Sequence, residues 1–260
     1  DNISRIASEL NLTSKQVQVV VDLLTAGSTI PFIARYRKEM TGTLDEVALA
    51  AIRDRHEQLM ELDKRRDAIL KSIEKQQLLT PELEKLILNA ETLTALEDIY
   101  LPYKPKRKTR ATVAKEKGLE PLAVRLYEQT QFNVTSEAQA FINTELGVNN
   151  EEEALAGARD IIAEWVSENQ EARQNIRELF WKEGVIQSSV VKSKVATEEA
   201  QKFKDYFEWK EPISKTPSHR LLAMRRAEKE SFVTLDIAPE EARAFQILEK
   251  QFVKTSSPVG

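Results

Sequence analysis

A run of basic residues beside two tyrosines carries the clearest chemical signal in this sequence. Five of the seven residues in this run, the basic loop (Lys104–Arg110), are basic, whereas the whole chain has a formal net charge of −4. Tyr100 and Tyr103 stand just before it. Pro102 and Pro105 disfavour a continuous helix, because a proline fixes its own φ and restrains the preceding residue. An extended basic segment beside aromatic rings could bind a phosphate backbone and stack bases.

Two interpretations of the basic loop are open from the sequence. In the first, the cations contact phosphates of a nucleic acid and a tyrosine ring stacks on a base. In the second, the loop is a solvated connector whose charges pair with acidic helices and whose tyrosines pack as an anchor. The residues assigned to nucleic-acid contact under the first interpretation are Lys104, Lys106, Arg107, Lys108, Arg110 and Tyr103.

A second basic cluster lies upstream, at Arg35, Arg37 and Lys38. Its cations are further candidates for phosphate contact. On a continuous helix, Arg35 would also face Glu39 at the i,i+4 spacing of an ion pair, so internal pairing is the competing interpretation. The apolar residues that suggest a packed structural corner around this cluster are Ile30, Phe32 and Tyr36.

Ser218 and His219 stand next to each other and invite a catalytic interpretation. Adjacent residues on a helix point in different directions, so they do not form a nucleophile–base pair. We expect Ser218 to cap the helix that follows. A helix N-terminus attracts anions, which makes Arg220 in the first turn another candidate for phosphate contact.

The sequence offers no coherent active site. It contains no cysteine and two histidines, which excludes disulfides, thiolate metal sites and a histidine-rich zinc site. Asp236 lies in a strand-like run, but a metal-dependent nuclease needs several carboxylates around its metal ions. No P-loop, GxGxxG, GxSxG or HExxH motif is present. We therefore predict a non-enzymatic protein with no catalytic residue, metal site or cofactor.

Composition and periodicity predict a mainly α protein, a multi-helix bundle with helix-turn-helix-like elements and a small mixed C-terminal segment. Glycine is scarce, with seven among 260 residues, and helix-forming residues are abundant. The longest helical pattern starts at an expected capping box, Thr43 to Glu46, and runs to about Gln76. Residues 231–237 alternate like a strand. We expect an all-helical domain over 1–190 and a smaller mixed segment over 191–260.

No apolar run approaches the length needed to span a bilayer, so no membrane association is expected. The absence of cysteine is compatible with the cytosol, and a cytoplasmic location is the expectation. The mild overall acidity says little about nucleic acid, because a local basic patch can outweigh the total charge.

Two long motifs resemble a known family. They are IPFIARYRKEMTGTLD at residues 30–45 and LEDIYLPYKPKRKTRATVAKEKGLEPL at residues 96–122, and PSHRLLA at residues 217–223 looks like a third signature. Together they closely resemble the N-terminal part of the Tex family of bacterial transcription accessory proteins. The resemblance extends over essentially the whole chain.

The resemblance implies that a ribonuclease-H-like domain, helix-hairpin-helix modules and a C-terminal S1 domain of the OB type would follow residue 260. It implies that this chain is a helical platform at the front of a scaffold that works with RNA polymerase. One expected function is a non-enzymatic transcription scaffold that binds the phosphate backbone of RNA or DNA. The alternative is a protein-interaction platform for RNA polymerase or for the protein's own C-terminal domains, without direct nucleic-acid contact.

Overall fold

The computed structural model describes all 260 residues of the chain. Fifteen α-helices and one three-stranded antiparallel sheet make up its regular structure, which confirms the predicted fold class of a mainly α protein with a small mixed segment. The backbone divides into two compact units, Asp1–Tyr103 and Lys104–Gly260. None of the helices is both long enough and apolar enough to cross a membrane.

The first unit is a helical bundle around one long helix. Its helices are α1 (Asn2–Leu10), α2 (Ser14–Thr25), α3 (Ile30–Tyr36), α4 (Lys38–Thr41), α5 (Glu46–Lys75), α6 (Pro81–Asn89) and α7 (Leu93–Tyr100), and a 3₁₀ turn at Leu101–Tyr103 follows α7. The long helix α5 is the one predicted, but its expected cap at Thr43 is wrong. Thr43 has a left-handed φ of 64°, and the Asp45 carboxylate instead accepts the Ala48 N–H at 2.8 Å.

One face of α5 supplies the centre of the core of this unit. The side chains are fully or almost fully buried, and each contributes roughly 1.5–3 kcal/mol of burial free energy. They are Leu49, Ile52, Leu59, Leu62, Ile69 and Ile73.

Two arginines on α5 each bind another helix. Arg55 binds Glu9 of α1, with Nη2 2.8 Å from Oε1, and together with Arg5 it lowers the pKa of the Glu9 carboxyl to about 2. Arg66 donates hydrogen bonds to the carbonyl oxygens of Ile87 (3.2 Å) and Ala90 (2.9 Å). These carbonyls lie at the C-terminal end of α6, where the last carbonyl groups of a helix have no N–H donor within the helix. The arginines therefore fix the positions of α1 and α6 against α5.

The second unit combines helices with the sheet. Its elements are α8 (Arg110–Glu116), α9 (Glu120–Glu128), α10 (Val134–Gln139), α11 (Glu151–Glu168), α12 (Gln170–Glu183), β1 (Val185–Val190), α13 (Glu198–Gln201), β2 (Glu208–Pro212), α14 (Ser218–Lys229), β3 (Val233–Ala238) and α15 (Glu241–Phe252). The helix α11 packs closely on α8 and α9. Gly157 permits this approach, because a Cβ at that position would lie 2.3 Å from the Leu119 Cδ1 atom.

The sheet has the strand order β2-β1-β3, with both pairs antiparallel. The strand-like pattern predicted at residues 231–237 is confirmed as β3. The predicted domain boundary near residue 190 falls at the end of the central strand, which pairs with two strands from the later part of the chain. The two compact units of the backbone meet in the sequence between Tyr103 and Lys104, at the start of the basic loop.

Candidate nucleic-acid interface

The basic loop precedes α8 and lies against α11. Thr109 is the N-cap of α8: its hydroxyl accepts the Thr112 N–H at 3.1 Å and donates to the Glu164 carboxylate, also at 3.1 Å. Lys106 binds the Glu168 carboxylate directly and has Glu164 Oε1 3.6 Å from its Nζ. Both carboxylates are largely buried, so Lys106 neutralises acidic groups that have little access to water.

The remaining cations of the basic loop divide into two kinds. Lys108 pairs with Glu116 at 2.7 Å, and Arg110 reaches Asp160 at 3.7 Å while its side chain stays 89% exposed. Lys104 and Arg107 are exposed and have no ion-pair partner. Three of the five cations therefore already contact carboxylates, which is the pairing that the connector interpretation expects. Nucleic-acid contact by this loop stays a prediction.

The two tyrosines before the loop belong to the first unit. Tyr100 is buried, its hydroxyl lies 3.0 Å from the Ser72 hydroxyl, and the Arg65 guanidinium lies 5.5 Å from the centre of its ring. Tyr103 packs, half-buried, against the same core, and its carbonyl accepts a hydrogen bond from Gln76 at 3.0 Å. Tyr103 thus contributes part of its ring to packing, which leaves less of it for stacking on a base.

The second basic cluster lies on the α3–α4 corner (residues 30–42). Arg35, Arg37 and Lys38 are all exposed, and none has a carboxylate within ion-pair distance. The expected pair between Arg35 and Glu39 is wrong, because the helix breaks at Arg37, where φ is −128° and ψ is 25°. The two residues lie on different helices, α3 and α4, and the i,i+4 geometry does not form.

Two aromatic rings stand among these cations. The ring centres of Phe32 and Tyr36 are 5.3 Å apart, and the side chains are 38% and 60% exposed. The Arg37 guanidinium lies 5.1 Å from the Phe32 ring centre, and that of Arg35 lies 6.0 Å from the Tyr36 ring centre. The sequence suggested that these aromatics pack inside a corner. Phe32 and Tyr36 are four residues apart, a spacing that places them on one face of α3, and Ile33 on the same helix is buried. This spacing is the signal that could have placed the two rings together.

Arg220 of α14 is held by two residues of strand β2. Its Nη1 atom donates to Glu211 Oε2 at 2.7 Å, and its guanidinium lies 4.9 Å from the centre of the Trp209 ring. This guanidinium therefore ties α14 to β2, and a phosphate would compete with Glu211 for it. The expected cap at Ser218 is wrong, because Ser218 is the first residue of α14 and Pro217 occupies the cap position, where no side chain accepts a hydrogen bond.

Asp236 lies on β3 opposite Gln187 and is exposed. No group of three or more histidine, cysteine, aspartate or glutamate side chains is arranged to hold a metal ion anywhere in the chain. The structure therefore shows no carboxylate cluster of the kind that a metal-dependent nuclease needs around Asp236.

Comparison with known proteins matches two family models to this chain. The model described as Tex-like protein N-terminal domain matches residues 1–74, and the one described as Tex central region-like matches residues 129–257. Together they cover more than three quarters of the chain.

Similar whole proteins agree with these matches. The Protein tex of Bordetella pertussis is 44% identical over 238 residues, 92% of this chain and 30% of that protein. The Transcriptional accessory protein Tex of Neisseria gonorrhoeae is 44% identical over 236 residues, 90% of this chain and 30% of that protein. The human S1 RNA-binding domain-containing protein 1 is 28% identical over 243 residues, 91% of this chain and 24% of that protein. The chain spans about a third of the length of its bacterial relatives. Because two family models and these similar proteins all match it, the chain belongs to the Tex family.

Proposed function

We propose that this chain is a non-enzymatic, nucleic-acid-associated scaffold of the transcription machinery. The names of its relatives support the transcription role, since they include a transcriptional accessory protein and an S1 RNA-binding domain protein. The observation that carries nucleic-acid contact is a set of exposed cations without ion-pair partners in the two basic segments. They are Arg35, Arg37, Lys38, Lys104 and Arg107.

An unpaired cation is available to a phosphate without first leaving a carboxylate. Lys106, Lys108, Arg110 and Arg220 must exchange one anionic partner for another, which reduces the net gain from binding. Binding through the unpaired set would release counterions from the nucleic acid, so the affinity would fall as salt rises. No base-specific contact is required for this kind of binding.

The test is fluorescence anisotropy with labelled single-stranded RNA, single-stranded DNA and duplex DNA across a salt series. The wild-type chain is compared with a variant that combines R35Q, R37Q, K38Q, K104Q and R107Q. We expect binding by the wild type with a steep salt slope, and most of that slope lost in the variant. The proposal fails if the wild-type chain binds none of the three at physiological salt.

A protein-interaction platform is the second candidate. Its support is the internal pairing of the basic loop together with exposed apolar side chains such as Leu86 and Leu88 on α6, which are 53% and 52% exposed. Such a platform would bind RNA polymerase or the protein's own C-terminal domains. Titration calorimetry with purified RNA polymerase tests the first partner, and a double L86Q/L88Q variant should then lose binding.

A further inference from the structure

Most of the arginines that lie over aromatic rings in this protein are also bound to a carboxylate. Arg65 covers Tyr100 and binds Glu97, with Nη2 3.1 Å from Oε2. In the same way Arg220 covers Trp209 and binds Glu211, and Arg125 covers Phe132 and lies 3.5 Å from Glu137. In each case the pair is internally satisfied and fixes the local structure.

The α3–α4 corner departs from this pattern. Arg35 and Arg37 lie beside Tyr36 and Phe32, yet neither guanidinium has a carboxylate partner, and Lys38 has none either. The aromatic rings are exposed rather than covered, Tyr36 by 60%. Three cations therefore lie within four residues of the sequence, beside a tyrosine that is mostly exposed.

The backbone beneath this surface is held in place. The Thr29 hydroxyl caps α3, Pro31 begins its first turn, and Ile33 is fully buried beneath the exposed rings. The carbonyl of the buried Thr41 accepts a hydrogen bond from the Gln16 side chain at 3.2 Å. Gly42 ends α4 at φ 70°, a conformation that glycine adopts without strain. A ligand at the corner would meet a preformed surface, which lowers the entropic cost of binding.

We infer that the α3–α4 corner is a stacking site for single-stranded nucleic acid. A base stacks on the free face of Tyr36, and the adjoining phosphates lie on Arg35, Arg37 and Lys38. The combination of aromatic faces with a positive track is the one that single-stranded nucleic acid requires. A duplex offers no free base face to Tyr36, because its bases stack on each other, and it would gain the charge contribution alone. This inference rests on the proposed function and names the class of nucleic acid and the residues that hold it.

The test separates stacking from charge. Anisotropy is measured with a labelled, unstructured RNA oligonucleotide, a DNA of the same sequence and the corresponding duplex. Y36A should weaken single-strand binding by about tenfold, because a base–aromatic stack is lost. Y36F keeps the ring and should bind like the wild type. Neither substitution should change duplex binding, and circular dichroism should show the wild-type helix content in both variants.

A matched pair of charge variants completes the experiment. R35Q/R37Q/K38Q should lower the slope of log affinity against log salt by about 2, the value for three phosphate contacts on a single strand. K64Q/K71Q/K75Q removes the same charge from exposed, unpaired lysines on α5, a helix that contributes no residue to an aromatic pair, and should change the slope little.

The results distinguish this inference from the proposed function. If the wild type binds single strands but Y36A binds equally well, or if the duplex binds as tightly as the single strand, the stacking site is wrong and the proposed function stands. If the two charge variants lose the same slope, binding is diffuse and the site is again wrong. If the wild type binds no nucleic acid at all, the proposed function itself has failed.

Discussion

The basic loop and the α3–α4 corner carry similar residue types in opposite surroundings. Lys106 of the loop is bound by Glu168, whereas Arg37 of the corner has a phenylalanine ring beneath it and no carboxylate partner. The loop is the denser basic run in the sequence, yet three of its five cations are paired within the second unit. Charge density along a sequence therefore does not measure the charge available to a partner, which depends on the groups that pack against each cation.

The largest effect is expected from removing the support beneath the corner. Ile33→Ala deletes a fully buried side chain under the exposed rings and should lower the free energy of unfolding by roughly 2–5 kcal/mol. Urea denaturation measures the loss. Val47→Ala on α5, where the side chain is 77% exposed, is the control and should change stability little. An equal loss in both variants would mean that Ile33 does not anchor the corner.

A second experiment makes the loop resemble the corner. E164Q/E168Q removes the two carboxylates that hold Lys106, so its ammonium becomes available to phosphate. We expect the nucleic-acid salt slope to steepen by about 0.7, the value for one more phosphate contact on a single strand. E145Q/E249Q makes the same charge change at exposed carboxylates that pair with no cation, and is the control. A slope that steepens equally in the control would show that only net charge matters.

A third pair of variants compares the helix caps of the two segments. Thr29 caps α3 and Thr109 caps α8, so Thr29→Ala and Thr109→Ala should each cost about 1 kcal/mol of stability. Thermal unfolding checks this cost. Nucleic-acid affinity should fall only for Thr29→Ala, since that cap orients the corner. A larger fall for Thr109→Ala would assign the contact to the loop.

The smallest effect concerns a paired charge outside both segments. The pKa of Glu9 is about 2 in the folded chain, below its ordinary value of 4.5, because Arg55 and Arg5 bind its carboxylate. A lowered pKa gives stability that is present above about pH 4.5 and is lost as the pH falls through about 2. Glu9→Gln should therefore flatten the acid limb of a stability–pH curve. The change should be modest, since the Glu9 side chain is 35% exposed. An unchanged acid limb would contradict the pairing.

Local signals in the sequence predicted much of the fold. The helical periodicity of α5 and the strand-like alternation of β3 were sufficient to predict these two elements, because each pattern is formed by residues close together in the sequence. The capping box of Thr13 with Gln16, a contact between residues three apart, is an interaction that sequence spacing can reveal. Where a competing residue stands nearby, the spacing is ambiguous, and Asp45 caps α5 in place of Thr43.

Which cations are paired in the two basic segments could not be predicted, because the pairing depends on tertiary contacts that no local sequence pattern contains. The partners of Lys106 lie 58 and 62 residues further along the chain, on α11, so the sequence could not show that this lysine is engaged. The break at Arg37 abolished the pair expected between Arg35 and Glu39 and left both arginines of the corner unpaired. The strand β2 lacks a clear alternation, and its pairing with β1 arises from tertiary contact.

Two triple variants in one salt series test whether nucleic acid is bound by the unpaired cations of the corner rather than by the three paired cations of the loop. R35Q/R37Q/K38Q and K106Q/K108Q/R110Q each remove three cations, and anisotropy with single-stranded RNA follows their affinity. We expect the corner variant to lose about 2 units of salt slope, while the loop variant keeps most of the wild-type slope. If the loop variant loses the slope while the corner variant keeps it, the paired cations bind the nucleic acid and the corner does not.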